Sequence, residues 1–111
     1  METRKQYDEF ATVLEEAADA RILRVYGDVD LSRASEFEVA IDDAASSGDT
    51  VIIDFCDCRY IDSTAIGVIV RVVKRYGKRI RASVAQNSNI ARVVSMVSLP
   101  DVLPVAFVKR P

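Results

Sequence analysis

The sequence predicts an α/β domain in which a mixed, mostly parallel sheet packs against about three helices. The 111 residues, half of them apolar and 29% charged, suit one soluble domain that needs no disulfides or metal ions for stability. Short segments rich in branched apolar residues alternate with segments of helical period, in the order β-β-α-β-α-β-α-β. Strand-helix-strand units place their strands in parallel. We therefore expect residues 1–111 to form a single domain, with residues 1–8 as a flexible N-terminus.

The chain is expected to open with two strands. Residues 10–15 form the first strand, residues 17–19 form a turn, and residues 22–26 form the second strand. Gly27 and Asp28 are typical turn residues and are predicted to end the second strand.

The first helix is predicted over residues 33–46. Apolar residues recur there at helical spacing, and acidic residues occupy most of the other positions. Ser32 is a suitable N-cap and Gly48 a suitable stop. The positions expected to be buried are Ala34, Phe37, Ile41, Ala44 and Ala45.

The third strand and the second helix follow. Residues 51–55 have almost no polar alternation, which predicts a strand covered on both faces. The second helix is predicted to begin near Ser63 and to end at Gly77. Its branched residues favour a strand by propensity, but its polar start and basic opposite face favour a helix. The expected apolar stripe is Ile66, Ile69, Val70 and Val73, extended by Tyr76.

The last three elements are a strand, a helix and a strand. Residues 80–85 form the strand, and a helix capped near Asn87 or Ser88 comes next. Residues 105–108 form the closing strand. The apolar positions of this third helix are Ile90, Val93, Val94 and Val97.

The composition excludes several classes of catalyst. The chain has no histidine, which removes Ser-His-Asp and Cys-His nucleophile systems, HExxH zinc sites and phosphohistidine relays. A disulfide between Cys56 and Cys58 would need a strained geometry, because strand neighbours two positions apart lie about 7 Å from each other. Two cysteines are also too few for a four-ligand zinc site. We expect two reduced thiols in a reducing cytoplasm. No apolar run approaches the roughly 18 residues of a spanning helix, so no membrane insertion is expected.

Charge is distributed unevenly along the chain. Residues 1–50 carry 5 basic and 13 acidic groups, and residues 51–111 carry 10 basic and 4 acidic groups. The basic excess is concentrated in Arg71, Lys74, Arg75, Lys78, Arg79 and Arg81. Because the chain is acidic overall and offers few aromatic partners for bases, we expect a solvated face or an acidic protein partner instead of nucleic acid.

Two segments follow strands where open α/β sheets collect functional groups, residues 27–30 and 62–67. Asp28 and Asp30 lack further ligands for a metal, and turn or capping chemistry explains them better. Ser63 would lie in the first turn of a helix, where a phosphate meets backbone N–H groups and a favourable dipole, although Asp62 would repel it. The alternative for this second segment is a plain N-cap.

The ordered set of segments 22–30, 51–55, 60–70 and 87–107 resembles a STAS domain of the anti-sigma factor antagonist type. The resemblance covers residues 10–108. In that family the first hydroxyl after the motif aspartate accepts a phosphate, which implies this role for Ser63, with Thr64 as the second candidate. The residues that the resemblance implies as flanking or partner-binding are Asp28, Asp30, Asp62, Ala65 and Ile66. Ala65 stands where the family usually has glycine.

The resemblance also implies partners. One is an anti-sigma factor that is also a serine kinase using ATP and Mg²⁺, and another is a phosphatase that resets the switch. The unmodified antagonist binds the anti-sigma factor and releases a sigma factor, so the chain is a substrate, with no enzyme activity, metal or cofactor of its own. The alternative is a STAS interaction module of a stress-signalling or transport complex without Ser63 phosphorylation. The sequence leaves a homo-oligomer open without indicating one.

Overall fold

The computed structural model describes residues 9–109, so the predicted flexible segment 1–8 lies outside the described residues. The elements are β1 (Ala11–Glu16), β2 (Ala20–Val29), α1 (Ala34–Ala45), β3 (Thr50–Asp54), β4 (Cys58–Ile61), α2 (Ser63–Tyr76), β5 (Ile80–Ala85), α3 (Asn89–Met96) and β6 (Val105–Val108). The sheet order is β1-β2-β3-β5-β6, with β4 beside the second half of β2. Only the β1–β2 pair is antiparallel among the described pairs, which confirms the mixed, mostly parallel sheet and the three helices.

Strand β2 does not end at Gly27 and Asp28, so that prediction was wrong. The strand continues to Val29 because the register with β4 shifts between Gly27 and Asp28, which lets β4 join where β3 stops. Gly27 has a φ of +74°, and a side chain there would place its Cβ 2.5 Å from the carbonyl carbon of Glu9. The four-residue strand β4 was absent from the predicted order. It forms because this shift in register lets it pair with the second half of β2.

The helices cover one face of the sheet. In β2 and β3, Leu23, Val25, Val51 and Ile53 are buried in a common core with the helices. Ile52, which points the other way, is only partly buried. The prediction that the third strand is covered on both faces was therefore wrong for this chain by itself, because no helix of the described residues packs on the second face.

Helix α1 buries all five predicted positions, but its cap was predicted wrongly. Asp30, not Ser32, opens the helical segment: its Oδ1 accepts hydrogen bonds from the Ser32 amide at 3.0 Å and the Ser32 hydroxyl at 2.6 Å. A three-residue 3-10 turn then leads into α1. The carboxylate is preferred because it accepts both donors at once.

Helix α2 begins at Ser63 as predicted and ends at Gly77, which has a φ of +65°. Its buried stripe is displaced from the predicted one. Ile66 and Val73 lie on the flank and only pack against the core from the side. The helix carries too many branched apolar residues for their period to define its centre. The buried positions are Ala65, Val68, Ile69 and Val72.

The remaining predictions concern α3 and the thiols. The Ser88 hydroxyl caps α3 by accepting from the amide of Ala91 at 3.0 Å, as expected. Both cysteines are free thiols; Cys58 is buried and Cys56 is partly exposed. Burial raises the pKa of Cys58 to about 11, so this thiol stays protonated near neutral pH.

Candidate functional site

The two segments predicted to carry function meet at the carboxyl edge of the sheet. Val29 and Ile61 are register partners in the parallel β2–β4 pair, so Asp30 and Asp62 follow them side by side. The amide of Asp62 donates to the carbonyl of Val29 at 3.3 Å, which fastens the start of α2 to the end of β2. Strand β4 is the element that makes this juxtaposition, although the sequence did not reveal it.

Asp62 is the N-cap of α2. Its Oδ1 accepts hydrogen bonds from the amides of Thr64 at 2.9 Å and Ala65 at 3.1 Å. The segment therefore does contain an N-cap, and the capping residue is Asp62. Ser63 is the exposed first residue of the helix. Because two of the first-turn amides are already bound by Asp62, a phosphate on Ser63 gains less from this helix end than the sequence suggested.

The other two aspartates have different surroundings. The hydrogen bonds from Ser32, its hydroxyl first, lower the pKa of Asp30 and keep it ionised near neutral pH. Asp28 forms an ion pair with Arg59, with Oδ1 and Nε 3.3 Å apart. Neither carboxylate belongs to a metal-binding cluster, since residues 9–109 hold no group of three side chains suited to a metal ion.

The remaining predicted residues lie beside or beneath Ser63. Ala65 is fully buried, so its methyl group contacts the core and not a docking partner. Ile66 is partly buried against the same core. Sequence reasoning missed Leu31 and Tyr60, which are 76% and 51% exposed beside the two segments that form the site. The signal was a large apolar side chain within two residues of Asp30 or Asp62.

The basic face of α2 is bound by the chain itself. Arg71 contacts Glu38 at 2.8 Å, and Arg75 contacts Glu38 at 3.0 Å and Asp42 at 2.7 Å. The hydroxyl of Tyr76 donates to Asp42 at 2.6 Å. Helix α1 of the same chain thus supplies the acidic groups that bind Arg71 and Arg75, and the opposite charges of the two halves of the sequence meet in one interface.

Arg79 continues this connection beyond the end of α2. Its guanidinium donates to the carbonyl of Ala45 and, at 3.2 Å, to that of Asp49. It also lies 5.4 Å from the centroid of the Tyr76 ring. Three of the six basic residues, Arg71, Arg75 and Arg79, are thus engaged within the chain, whereas Lys74, Lys78 and Arg81 form no ion pair within residues 9–109.

A sequence model of the STAS domain matches residues 11–106. The match spans most of the chain and includes both segments of the site, so the chain belongs to the STAS domain family. Comparison with curated proteins finds no significant match. Within residues 9–109, no helix has the length and apolar character needed to span a membrane.

Solved structures with this fold include anti-sigma factor antagonists. One from Mycobacterium paratuberculosis is 18% identical, with a TM-score of 0.79 over 89% of this chain and 86% of that chain. The Bacillus cell fate determinant SpoIIAA in its phosphorylated form is 21% identical, with a TM-score of 0.59 over 86% and 91% of the two chains. The murine solute carrier 26 member A9 anion transporter is 13% identical, with a TM-score of 0.60 over 86% of this chain and 19% of the transporter. These similarities establish the fold.

Proposed function

We propose that this chain is an anti-sigma factor antagonist controlled by phosphorylation of Ser63, with Thr64 as the second candidate acceptor. The observation that carries the proposal is the exposure of Ser63 at the first residue of α2, beside the ends of β2 and β4. Thr64 is less accessible, being partly buried. A solved neighbour of this fold, SpoIIAA, is a phosphorylated protein, which supports the same chemistry on a related domain.

The switch acts through charge. A phosphoserine adds about −1.5 to −2 charges near neutral pH. On Ser63 it would stand next to the carboxylate of Asp62 and on the same edge as Asp30, while Asp62 already occupies the nearest amides. The phosphate therefore has little to compensate it within the chain and stays hydrated. A partner that buries this edge would have to remove that hydration, which weakens its binding.

The surface beside Ser63 suits a protein partner. Leu31 and Tyr60 supply exposed apolar area beside the two segments that carry Asp30 and Asp62. In the unmodified form this area can be buried together with the neutral hydroxyl of Ser63, whereas Asp28 and Arg59 form a charged pair on β2 and β4. Such a mixture of an apolar centre and a polar rim is typical of protein interfaces.

The proposed partners are an anti-sigma factor with serine kinase activity, which uses ATP and Mg²⁺, and a phosphatase. The unmodified chain binds the anti-sigma factor in the bacterial cytoplasm and frees a sigma factor, and phosphorylation ends that complex. The chain itself is the substrate and supplies no catalytic group, metal or cofactor.

Intact-mass spectrometry after incubation with an anti-sigma factor kinase from the same organism tests the proposal. In the presence of ATP and Mg²⁺ we expect addition of one phosphate. The Ser63→Ala variant should remain unmodified, and the Thr64→Ala variant should be modified like the wild type. Modification that persists in Ser63→Ala and disappears in Thr64→Ala would move the acceptor to Thr64.

A second measurement separates the switch from a constitutive interaction module. We expect the kinase to bind the unmodified chain and to lose the phosphorylated one. If purification of the chain from its own cells recovers permease or transport ATPase subunits, with equal recovery by wild type and Ser63→Asp, the alternative of a transport-complex module is correct and the switch is not.

A further inference from the structure

The sheet has a second face that the helices do not cover, here called the open face. Along one line of register partners across it, Glu15 on β1 pairs with Ile22 on β2, Ile22 with Ile52 on β3, and Ile52 with Arg81 on β5. Ile22, Ile52 and Arg81 line an open cavity of about 430 Å³. The line therefore runs from a negative side chain over two isoleucines to a positive one.

A parallel line of register partners lies one step further along the strands. Arg24 on β2 is opposite Asp54 on β3, with their nitrogen and oxygen atoms 2.8 Å apart, and Asp54 is opposite Ser83 on β5. The Ser83 hydroxyl donates to Asp54 at 3.1 Å. The four charged side chains of the two lines, Glu15, Arg24, Asp54 and Arg81, carry no net charge, so a second copy of this face would not be repelled.

Two observations indicate that the side chains of the open face are incompletely buried and paired in the single chain. Three consecutive apolar residues form the middle of β3, as in a strand covered on both faces, yet Ile52 is left partly exposed. Arg81 is exposed and forms no ion pair within residues 9–109, unlike Arg24, which binds Asp54 and Glu15. Both features would be satisfied by one covering surface that is apolar in its centre and acidic at one side.

The face is complementary to itself. A two-fold axis that runs parallel to the strands, between β2 and β3, maps β1 onto β5 and β2 onto β3 in a facing copy. It places Glu15 opposite Arg81 of the second copy and Ile22 opposite Ile52 of the second copy. In the second line it places Arg24 opposite Asp54 of the second copy. In the first line each charge therefore faces an opposite charge and the isoleucines face one another, whereas Asp54 in the second line is already buried against Arg24 and Ser83 of its own chain.

We propose that the open face is a self-association surface through which two copies of this chain pair around that axis, as a sandwich of two sheets. Sheets that pack face to face lie about 10 Å apart, a distance that long arginine and glutamate side chains can bridge. Helix α2 lies on the other side of the sheet, so the pair leaves both Ser63 residues accessible. The inference therefore does not depend on Ser63 being phosphorylated.

The size of the surface sets the strength of the pair. Four strands about 4.8 Å apart, with about five residues each, give a flat area on the order of 300 Å². This is well below the roughly 800 Å² per partner of a stable complex. The dimer is therefore weak and reversible and forms as the concentration rises.

Sedimentation velocity over a concentration series tests the proposal directly. Between about 10 μM and about 1 mM the wild-type chain should shift from monomer towards dimer. Glu15→Arg and Arg81→Glu should each raise the dimer dissociation constant at least tenfold, because each puts like charges opposite each other twice. An equimolar mixture of these two variants should dimerise again, since both contacts of the mixed pair once more join a positive side chain to a negative one.

The controls separate this surface from general effects of charge. Arg92→Glu alters an exposed residue of α3, away from the open face, and should dimerise like the wild type. Thermal unfolding verifies that every variant is folded, and Ile52→Arg provides a second disruption that does not involve the charged pair. A wild type that stays monomeric up to about 1 mM overturns the proposal. So does a variant mixture that stays monomeric, and in either case another partner must cover the face.

Discussion

The two ends of helix α2 differ in almost every respect. At its C-terminal end, Arg71, Arg75 and Tyr76 are bound to the acidic side chains of α1. At its N-terminal end, Asp62 caps the helix and Ser63 is exposed, with apolar surface nearby and few charges of opposite sign. One end is held by ion pairs and hydrogen bonds within the chain, and the other is exposed to solvent.

Under the proposed function, this difference would allow a modification to alter binding without altering the fold. The anchored end and the buried middle fix the position of α2 on the sheet, so that the exposed hydroxyl of Ser63 is held in a constant place. Because Ser63 contributes no buried side chain, a phosphate there changes the outer surface and leaves the core unchanged. The predictions below perturb the middle, the exposed end, the cap and the anchored end in turn.

Truncation of the buried middle of α2 should have the largest effect. Ile69 is fully buried, so Ile69→Ala should lower the free energy of unfolding by about 2–5 kcal/mol through lost burial and a residual cavity. Chemical denaturation followed by circular dichroism measures this. The exposed Lys74→Ala variant on the same helix serves as the control and should unfold nearly like the wild type.

Substitution at the exposed end should change binding and leave stability nearly unaltered. Ser63→Asp places a fixed negative charge beside Asp62, and we expect the affinity for the kinase partner to fall at least tenfold, or about 1.4 kcal/mol. Calorimetric titration measures the affinity, and thermal unfolding verifies the fold.

The matched control for this substitution is Ser63→Asn, which is similar in size to aspartate but uncharged. It should retain most of the affinity, because the proposed switch depends on charge and hydration. Equal losses in both variants would show that the site senses size instead, and the charge mechanism would be wrong.

Removal of the cap should weaken the fold moderately. Asp62→Ala leaves the amides of Thr64 and Ala65 without their acceptor, which should cost about 0.5–2 kcal/mol of unfolding free energy. Asp62→Asn keeps an acceptor and should recover most of that loss. If alanine and asparagine destabilise the domain equally, the cap is not the reason for the effect.

The order of the main elements could be predicted from the sequence, but strand β4 could not. Its residues, Cys58–Ile61, are buried only at the two ends, so neither the alternation of a half-covered strand nor the apolar run of a buried one is visible. The strand forms because β2 continues past Gly27 and offers a partner. This partner strand lies some thirty residues away in the chain, so the local propensity of the β4 residues does not predict the pairing.

Ser63 could be placed at the start of a helix from sequence, but its electrostatic surroundings could not. The choice between Asp30 and Ser32 as a cap depends on which oxygen reaches two donors, and this is settled only by three-dimensional geometry. The ion pairs of the basic cluster also depend on how the helices pack. Arg71 and Glu38 are 33 positions apart, and only the packing of α1 against α2 brings them together.

The smallest predicted effect concerns the anchored end and its dependence on pH. Hydrogen bonds from Arg71 and Arg75 lower the pKa of Glu38 below its ordinary value of 4.5. A carboxylate whose pKa is lower in the folded state contributes its full stabilisation above the unfolded pKa and loses it as the pH falls through the folded pKa. Glu38→Gln should therefore be less stable than the wild type at neutral pH, by less than the loss of the cap, and the difference should fade below about pH 4.5 and in high salt.

Thermal unfolding of both proteins across pH 3–7 measures this difference, with the exposed Asp43→Asn on the same helix as the control. A difference that persists unchanged at low pH and high salt would mean that Glu38 stabilises the helix pair by packing and not by charge.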